Sequence, residues 1–207
     1  MKRCVIIGGA EIGNYDVIRA YLRDGDFNIF CDSGLYHKEK LGISAHLIVG
    51  DFDSHPRPET ETETIALPRE KDDTDTVYAV KEALSRGFKD FLLVGVCGGR
   101  LDHTLGNVSI LLMLHSKGKR ALIADDFSEM EIVGAEEKYI DGSFPYFSLI
   151  NIDGTCRGVY EKNAKFPLEN GEISAEYQYG ISNEPLPGKT AEVCVKDGRA
   201  LLVRVRR

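Results

Sequence analysis

Tryptophan is absent from the 207-residue sequence and cysteine is sparse, with five residues at Cys4, Cys31, Cys97, Cys156 and Cys194 and no Cys-x-x-Cys spacing. An odd, scattered set disfavours a disulfide framework or a structural zinc site and points to a reducing cytoplasm. Without an indole, a sugar-stacking surface loses its best building block. Basic charge is short as well: 26 lysines and arginines stand against 33 aspartates and glutamates, for a net charge of −7. The chain therefore lacks the clustered cations that nucleic-acid binding by counterion release requires. No run of 18 apolar residues occurs, which leaves no helical membrane span. The apolar stretch after Met1-Lys2-Arg3 meets Gly8-Gly9 too soon for a signal-peptide core. The segment Gly8-Gly9-Ala10-Glu11-Ile12-Gly13 fits neither Gly-x-Gly-x-x-Gly nor the lysine-bearing phosphate loop. An acidic, intracellular, globular chain remains, long enough to bury a core.

Residues 1–125 alternate short apolar runs with helical spacing. Strands are expected at Cys4–Ile7, Asn28–Cys31, His46–Val49, Phe91–Val96 and Ala121–Ala124. Helices are expected at Tyr15–Arg23, after Thr74 as a cap, and at Thr104–His115 with Leu105, Val108, Leu111 and Leu112 inward. The segment His55–Leu67 is aperiodic and reads as a loop. Such alternation implies a parallel sheet with helices on its faces. From residue 126 onward the segments shorten, and Asp141-Gly142, Asp153-Gly154, Asn170-Gly171 and Asp197-Gly198 suggest tight hairpins. Leu201, Val203 and Val205 alternate with Leu202, Arg204 and Arg206, as expected of a strand with one wet face; the Arg204–Arg207 tail reads as solvated. The fold class is therefore α/β: a Rossmann-like parallel-sheet domain over 1–125, then a small antiparallel β-sandwich over 126–207.

Ligands of open parallel sheets bind beyond the carboxyl ends of the strands, and four polar clusters fall there. They are Asp32-Ser33-Gly34, Gly50-Asp51-Phe52-Asp53-Ser54, Lys71-Asp72-Asp73-Thr74-Asp75 and Gly98-Gly99-Arg100-Leu101-Asp102-His103. A period of two would place Asp51 and Asp53 on one side. Two such carboxylates repel unless a cation sits between them, and Mg²⁺ suits them because it prefers oxygen ligands. Alone, Asp73 and Asp75 would be a helix start favoured by the dipole; beside Asp51 and Asp53 they add to a site. Arg100 supplies a planar cation suited to phosphate, with Asp102 and His103 at a helix N-terminus. Ser182-Asn183-Glu184 on its own is a turn.

In order and separation, Gly50–Ser54, Lys71–Asp75, Gly99–His103 with Asn107, and Gly180-Ile181-Ser182-Asn183-Glu184 resemble the thiamine pyrophosphokinase family in its bacterial form, over essentially the whole chain. The resemblance implies transfer of the β,γ-pyrophosphoryl group of ATP to the hydroxyl of thiamine, yielding thiamine diphosphate and AMP. It also implies a homodimer, with thiamine between the α/β domain of one subunit and the β domain of the other. By the same resemblance Asp51, Asp53 and Asp75 hold Mg²⁺ and Asp73 assists; Asp32, Arg100, Asp102, His103 and Asn107 line the nucleotide side; Thr74, Ser182 and Asn183 face thiamine. Arg100 would offset charge on the phosphates, and Asp75 or Asp73 would accept the hydroxyl proton. Some members stack an indole on thiamine; in this chain that contact is absent or another residue supplies it. Two alternatives are a pyrophosphokinase acting on a pterin alcohol and a non-catalytic nucleotide or thiamine sensor. The first is disfavoured by Ser182-Asn183-Glu184 and the complete β domain, the second by the number of carboxylates.

Overall fold

A computed structural model describes residues 2–53 and 58–206; Ser54, His55 and Arg207, cited above, lie outside the described residues. The chain divides into two compact units, Met1–Asp126 and Phe127–Arg207. In the first, strands β1 (Cys4–Ile7), β2 (Phe27–Cys31), β3 (Leu47–Gly50), β4 (Thr64–Ala66), β5 (Asp90–Val94) and β6 (Arg120–Ala124) pair in the order β4-β3-β2-β1-β5-β6. Every pairing in this unit is parallel. The near-continuous apolar runs of β1 and β5 follow from burial on both faces. The winding direction reverses between β1 and β5, which opens a crevice at their carboxyl ends.

Helices α1 (Tyr15–Arg19), α2 (Lys38–Leu41), α3 (Asp75–Ser85) and α4 (Leu101–Ser116), with a 3₁₀ helix over Asp32–His37, cover the sheet. Thr74 caps α3 as expected, its hydroxyl accepting the Val77 amide. Helix α1 stops short of the expected Arg23, because Tyr21 and Leu22 donate to Ile18 and Arg19 and so tighten the chain into i→i−3 turns. Helix α4 is rotated from expectation. Asn107, Ile110, Leu111 and Leu114 are buried, whereas Leu105 is 60% exposed. Strand β4 emerges from the segment read as a loop, three residues at the sheet edge and too short to show a period.

The second unit contains β7 (Ser128–Val133), β8 (Lys138–Ile140), β9 (Tyr146–Ile150), β10 (Thr155–Lys162), β11 (Leu168–Ser174), β12 (Ala191–Asp197) and β13 (Ala200–Val205). Antiparallel sheets β7-β13-β9 and β11-β10-β12-β8 enclose a core that includes Val133, Phe147, Leu149 and Leu202 from one side and Ile140, Val159, Val193 and Val195 from the other. This is the expected sandwich, but the hairpin reading of its turns is corrected. Asp141-Gly142, Asp153-Gly154 and Asp197-Gly198 each carry the chain from one sheet to the other, and Asn170-Gly171 lies within β11 opposite an irregular stretch of β10. The backbone freedom that suits a tight turn serves equally at a corner or a bulge. The wet face of β13 is corrected too. Arg204 is buried, donating to Glu129 at 2.9 Å and Glu131 at 2.5 Å, so it is neutralised across the sheet instead of solvated.

Candidate active site

Neighbouring strands bring distant acids together at the carboxyl edge. Asp32 follows β2 directly and Asp51 follows β3; Asp75 opens α3. One carboxylate oxygen from each lies within 4.8 Å of the others. Asp32 is only 6% exposed and adopts φ of 40°. Gly50 permits this packing, since a Cβ there would meet Asp32 Cβ at 3.0 Å. Asp32 Oδ1 and Asp75 Oδ1 are buried without a hydrogen-bond partner. The Lys71 ammonium bonds Asp51 Oδ2 and lies 3.0 Å from Asp75 Oδ1, so it forms an ion pair with both carboxylates.

The electrostatics follow from this crowding. The Lys71 hydrogen bond pulls the Asp51 carboxyl below its ordinary range. Burial pushes the Asp75 carboxyl up; Lys71 partly offsets this, while Asp51 and Asp32 add to the rise. Burial disfavours the Lys71 charge, but its two carboxylate partners outweigh burial and raise its pKa.

Asp53 is not in this triad. Phe52 turns left-handed, with φ of 57°, so the two-residue alternation does not carry past β3; the Asp53 amide instead donates to Asp51 Oδ1 at 3.2 Å. Asp73 pairs with Lys81 at 2.5 Å, and Thr74 is exposed at the α3 cap. On the same edge of the sheet, after β5, Arg100 forms a solvent-exposed ion pair with Asp102 at 2.6 Å that holds the Asp102 carboxyl down at about 2. His103 is exposed. Asn107 is buried and donates to Val96 O at 2.8 Å, fixing the strand-to-helix loop. Nearby, a Cβ on Gly9 would overlap Ser33 Oγ, so the loop after β1 lies flush against the 3₁₀ helix only because glycine stands there.

In the β unit, Ser182 is exposed at φ of 59°, its amide donating to Ser148 Oγ. Asn183 is 4% exposed and makes all four hydrogen bonds an amide side chain can make. Its Nδ2 donates to Glu161 Oε2 at 2.6 Å and Phe166 O at 2.8 Å, and its Oδ1 accepts from Phe166 N and Glu184 N. The Asn183 side chain thereby holds the backbone of Phe166 on both its amide and its carbonyl. That ring is 64% exposed at the lip of a cleft of about 140 Å³ lined also by Glu161, Leu168, Tyr179 and Ile181. Glu161 is 3% exposed; burial raises its pKa and the Asn183 bond works against that rise.

Three residues escaped the sequence reading as functional candidates: Lys71 within the acidic cluster, Glu161 and Phe166. For Lys71 the available signal was its place four residues before Asp75. For Glu161 it was the inward phase shared with Val159, two residues before.

Residues 18–123 match a family model described as thiamin pyrophosphokinase, catalytic domain, and residues 132–199 match one described as thiamin pyrophosphokinase, vitamin B1 binding domain. A thiamine pyrophosphokinase from Bacillus subtilis (strain 168) is 27% identical over 192 residues, covering 89% of this chain and 90% of that protein. Among solved structures, the thiamin pyrophosphokinase of Geobacillus thermodenitrificans gives a TM-score of 0.85 at 25% identity, over 99% of this chain and 98% of that one. Yeast thiamin pyrophosphokinase shares the fold at a TM-score of 0.73 and 12% identity, over 99% of this chain and 86% of that one. With both segments matched in order, the chain belongs to the thiamin pyrophosphokinase family.

Proposed function

We propose that the chain performs the family's reaction at the carboxyl edge of its parallel sheet, with Asp32, Asp51 and Asp75 as the ligands of Mg²⁺. The reaction is transfer of the β,γ-pyrophosphoryl group of ATP to thiamine. The thiamine hydroxyl oxygen bonds to the β-phosphorus, the bridge to the α-phosphate breaks, AMP leaves with that electron pair, and the hydroxyl proton passes to a carboxylate, Asp75 or Asp73. The observation that carries the assignment is the convergence of three acids from separate elements, with Asp32 Oδ1 buried and without a hydrogen-bond partner. A hard divalent cation is the natural ligand of such a set, and when bound it would neutralise and orient the polyphosphate.

The chain's own residues do the rest. Arg100 turns from Asp102 to the phosphates, so the charge spread over them meets a planar donor. Asp102, His103 and Asn107 shape the nucleotide side at the start of α4, and Asp53 braces the Asp51 loop through its amide. Thiamine stacks on Phe166, which takes the place of the indole that this chain lacks, with Ser182 beside it and Asn183 setting the ring. Thr74 contacts thiamine from the α3 cap. The site is completed in a homodimer, a reading supported by the exposed Leu101 and Leu105 next to Arg100 and by the exposed Phe166 and Ile181. All five cysteines are free, in keeping with a reducing cytoplasm; no helix among the described residues is long and apolar enough to cross a membrane.

The test is incubation of the protein with Mg²⁺, ATP and thiamine, followed by chromatography of the nucleotides. AMP is expected in step with thiamine diphosphate; ADP in its place would overturn pyrophosphoryl transfer. Asp32→Asn is expected to cut turnover at saturating Mg²⁺ by at least about a hundredfold, and near-normal turnover would remove Asp32 from the ligand set. Light scattering tests the dimer, and a monomer that is fully active would refute it.

A further inference from the structure

The acidic triad is not empty of positive charge. Lys71 lies on the segment between β4 and α3, largely buried, with its ammonium on oxygens of two of the three carboxylates. The other lysine of this region, Lys81, is engaged by Asp73 outside the triad. The three acids are fixed by strand ends and a helix start, whereas Lys71 reaches them on a flexible four-carbon stem with freely rotating donors. A divalent cation that draws in one oxygen from each aspartate needs the Asp51 and Asp75 carboxylates that the ammonium now contacts, at cation–oxygen distances of about 2.0–2.1 Å for Mg²⁺. The two cations therefore compete for the same carboxylates.

We propose that Lys71 is an internal counter-cation of the triad: it holds Asp51 and Asp75 together before a divalent cation enters, and the entering cation displaces it toward the phosphate oxygens of the nucleotide. This rests on the metal assignment made above. Lys71 is then a positioning residue before metal binding and a hydrogen-bond donor to the phosphates afterwards, and its removal acts on the two stages with opposite sign. Without the ammonium the metal has nothing to displace and binds more tightly; without the donor, transfer slows.

Manganese(II), titrated into the full chain without nucleotide or thiamine and counted by the electron paramagnetic resonance of the free ion, reads the first stage directly. Lys71→Met is expected to tighten Mn²⁺ binding by about tenfold, the scale of one charged hydrogen bond. The same variant is expected to lower kcat with Mg²⁺ and ATP by about tenfold or more. Its melting temperature without metal should fall and be recovered by Mn²⁺. Lys71→Arg keeps the charge and should bind Mn²⁺ as the wild type does. Lys71→Gln, polar and neutral, repeats the measurement if the methionine variant does not fold.

Mn²⁺ affinity that is unchanged or weakened in the neutral variants overturns the proposal. Asp32→Asn separates the two failures. If it abolishes Mn²⁺ binding while Lys71→Met leaves affinity unchanged, only the role of Lys71 falls. If it changes nothing, or no Mn²⁺ binds at all, the triad itself is not a metal site and both readings fall.

Discussion

Asn183 fixes the residues around it and has no hydrogen-bonding atom of its side chain left over. Because the Asn183 amide is fully engaged, Asn183→Ala strands the buried Glu161 carboxylate and frees the backbone of Phe166. A loss of about 2–4 kcal/mol in stability is expected, read as a lower midpoint in denaturant. Phe166→Ala should do the reverse: an exposed ring leaves stability nearly unchanged, while KM for thiamine rises about tenfold and KM for ATP stays put. Equal effects on both KM values would remove Phe166 from the thiamine side.

Glu161 adds a pH signature. Burial raises its folded pKa, so the folded state favours the protonated acid, and its contribution is most favourable below the ordinary carboxyl pKa and is lost as pH rises through the folded value. Glu161→Gln keeps an acceptor for Asn183 and never ionises. Its melting temperature should exceed the wild type's at pH 7 and converge with it as pH falls into the ordinary carboxyl range. A constant offset across that range would contradict the sign. The sequence marked Asn183 as part of a turn and, by the family resemblance, as facing thiamine; its hold on Glu161 and Phe166 was not legible, because it joins residues 22 and 17 positions apart.

Helix α4 illustrates what periodicity settles at the scale of an element. Its existence and bounds were readable to within a few residues, but its inward face was not, because Leu101, Leu105, Val108, Ile110, Leu111, Leu112 and Leu114 make it apolar nearly all round. Two stripes compete, and only the sheet decides between them. Leu111→Ala, at a fully buried position, should cost about 2–5 kcal/mol, whereas Leu105→Ala, measured at protein concentrations where the chain is monomeric, should cost under about 0.5 kcal/mol. Reversed costs in urea unfolding would mean the helix is turned the other way. Helix α3 was easier because a capping threonine marks its start, and β4 was harder because three residues carry no period. The triad divides likewise: Asp51 and Asp75 sit in recognisable acidic runs, but the partnership of Asp32 with them arises from β2 lying beside β3, and Phe52 breaks the alternation that pointed to Asp53.

At the scale of the whole molecule, the proposed metal ligands all lie in the first unit and the ring proposed to stack on thiamine lies in the second, and that division can be observed. In hydrogen exchange read by mass spectrometry, Mg²⁺ alone should protect peptides spanning β2, β3 and the start of α3. Those of β10 and β11 should be left as they were. Protection confined to the β unit would place the cation elsewhere. The two-unit architecture itself was legible from the change of texture near residue 126, since alternating helices and strands give way to short β-rich segments. The path of the chain through the sandwich was not, because an Asp-Gly pair looks the same at a hairpin and at a corner.

That path has a kinetic consequence. Among the described residues, of the strands that follow one another along the β unit only β10 and β11 pair, while each Asp-Gly corner sends the chain to the opposite sheet. Zipping from local turns therefore builds one ribbon and no more. The remaining ladders join segments distant in the chain, and neither sheet can bury its inner face until the other has formed. The β unit should thus acquire its structure in a single slow, concerted step, with a rate governed by loop closure more than by any individual turn.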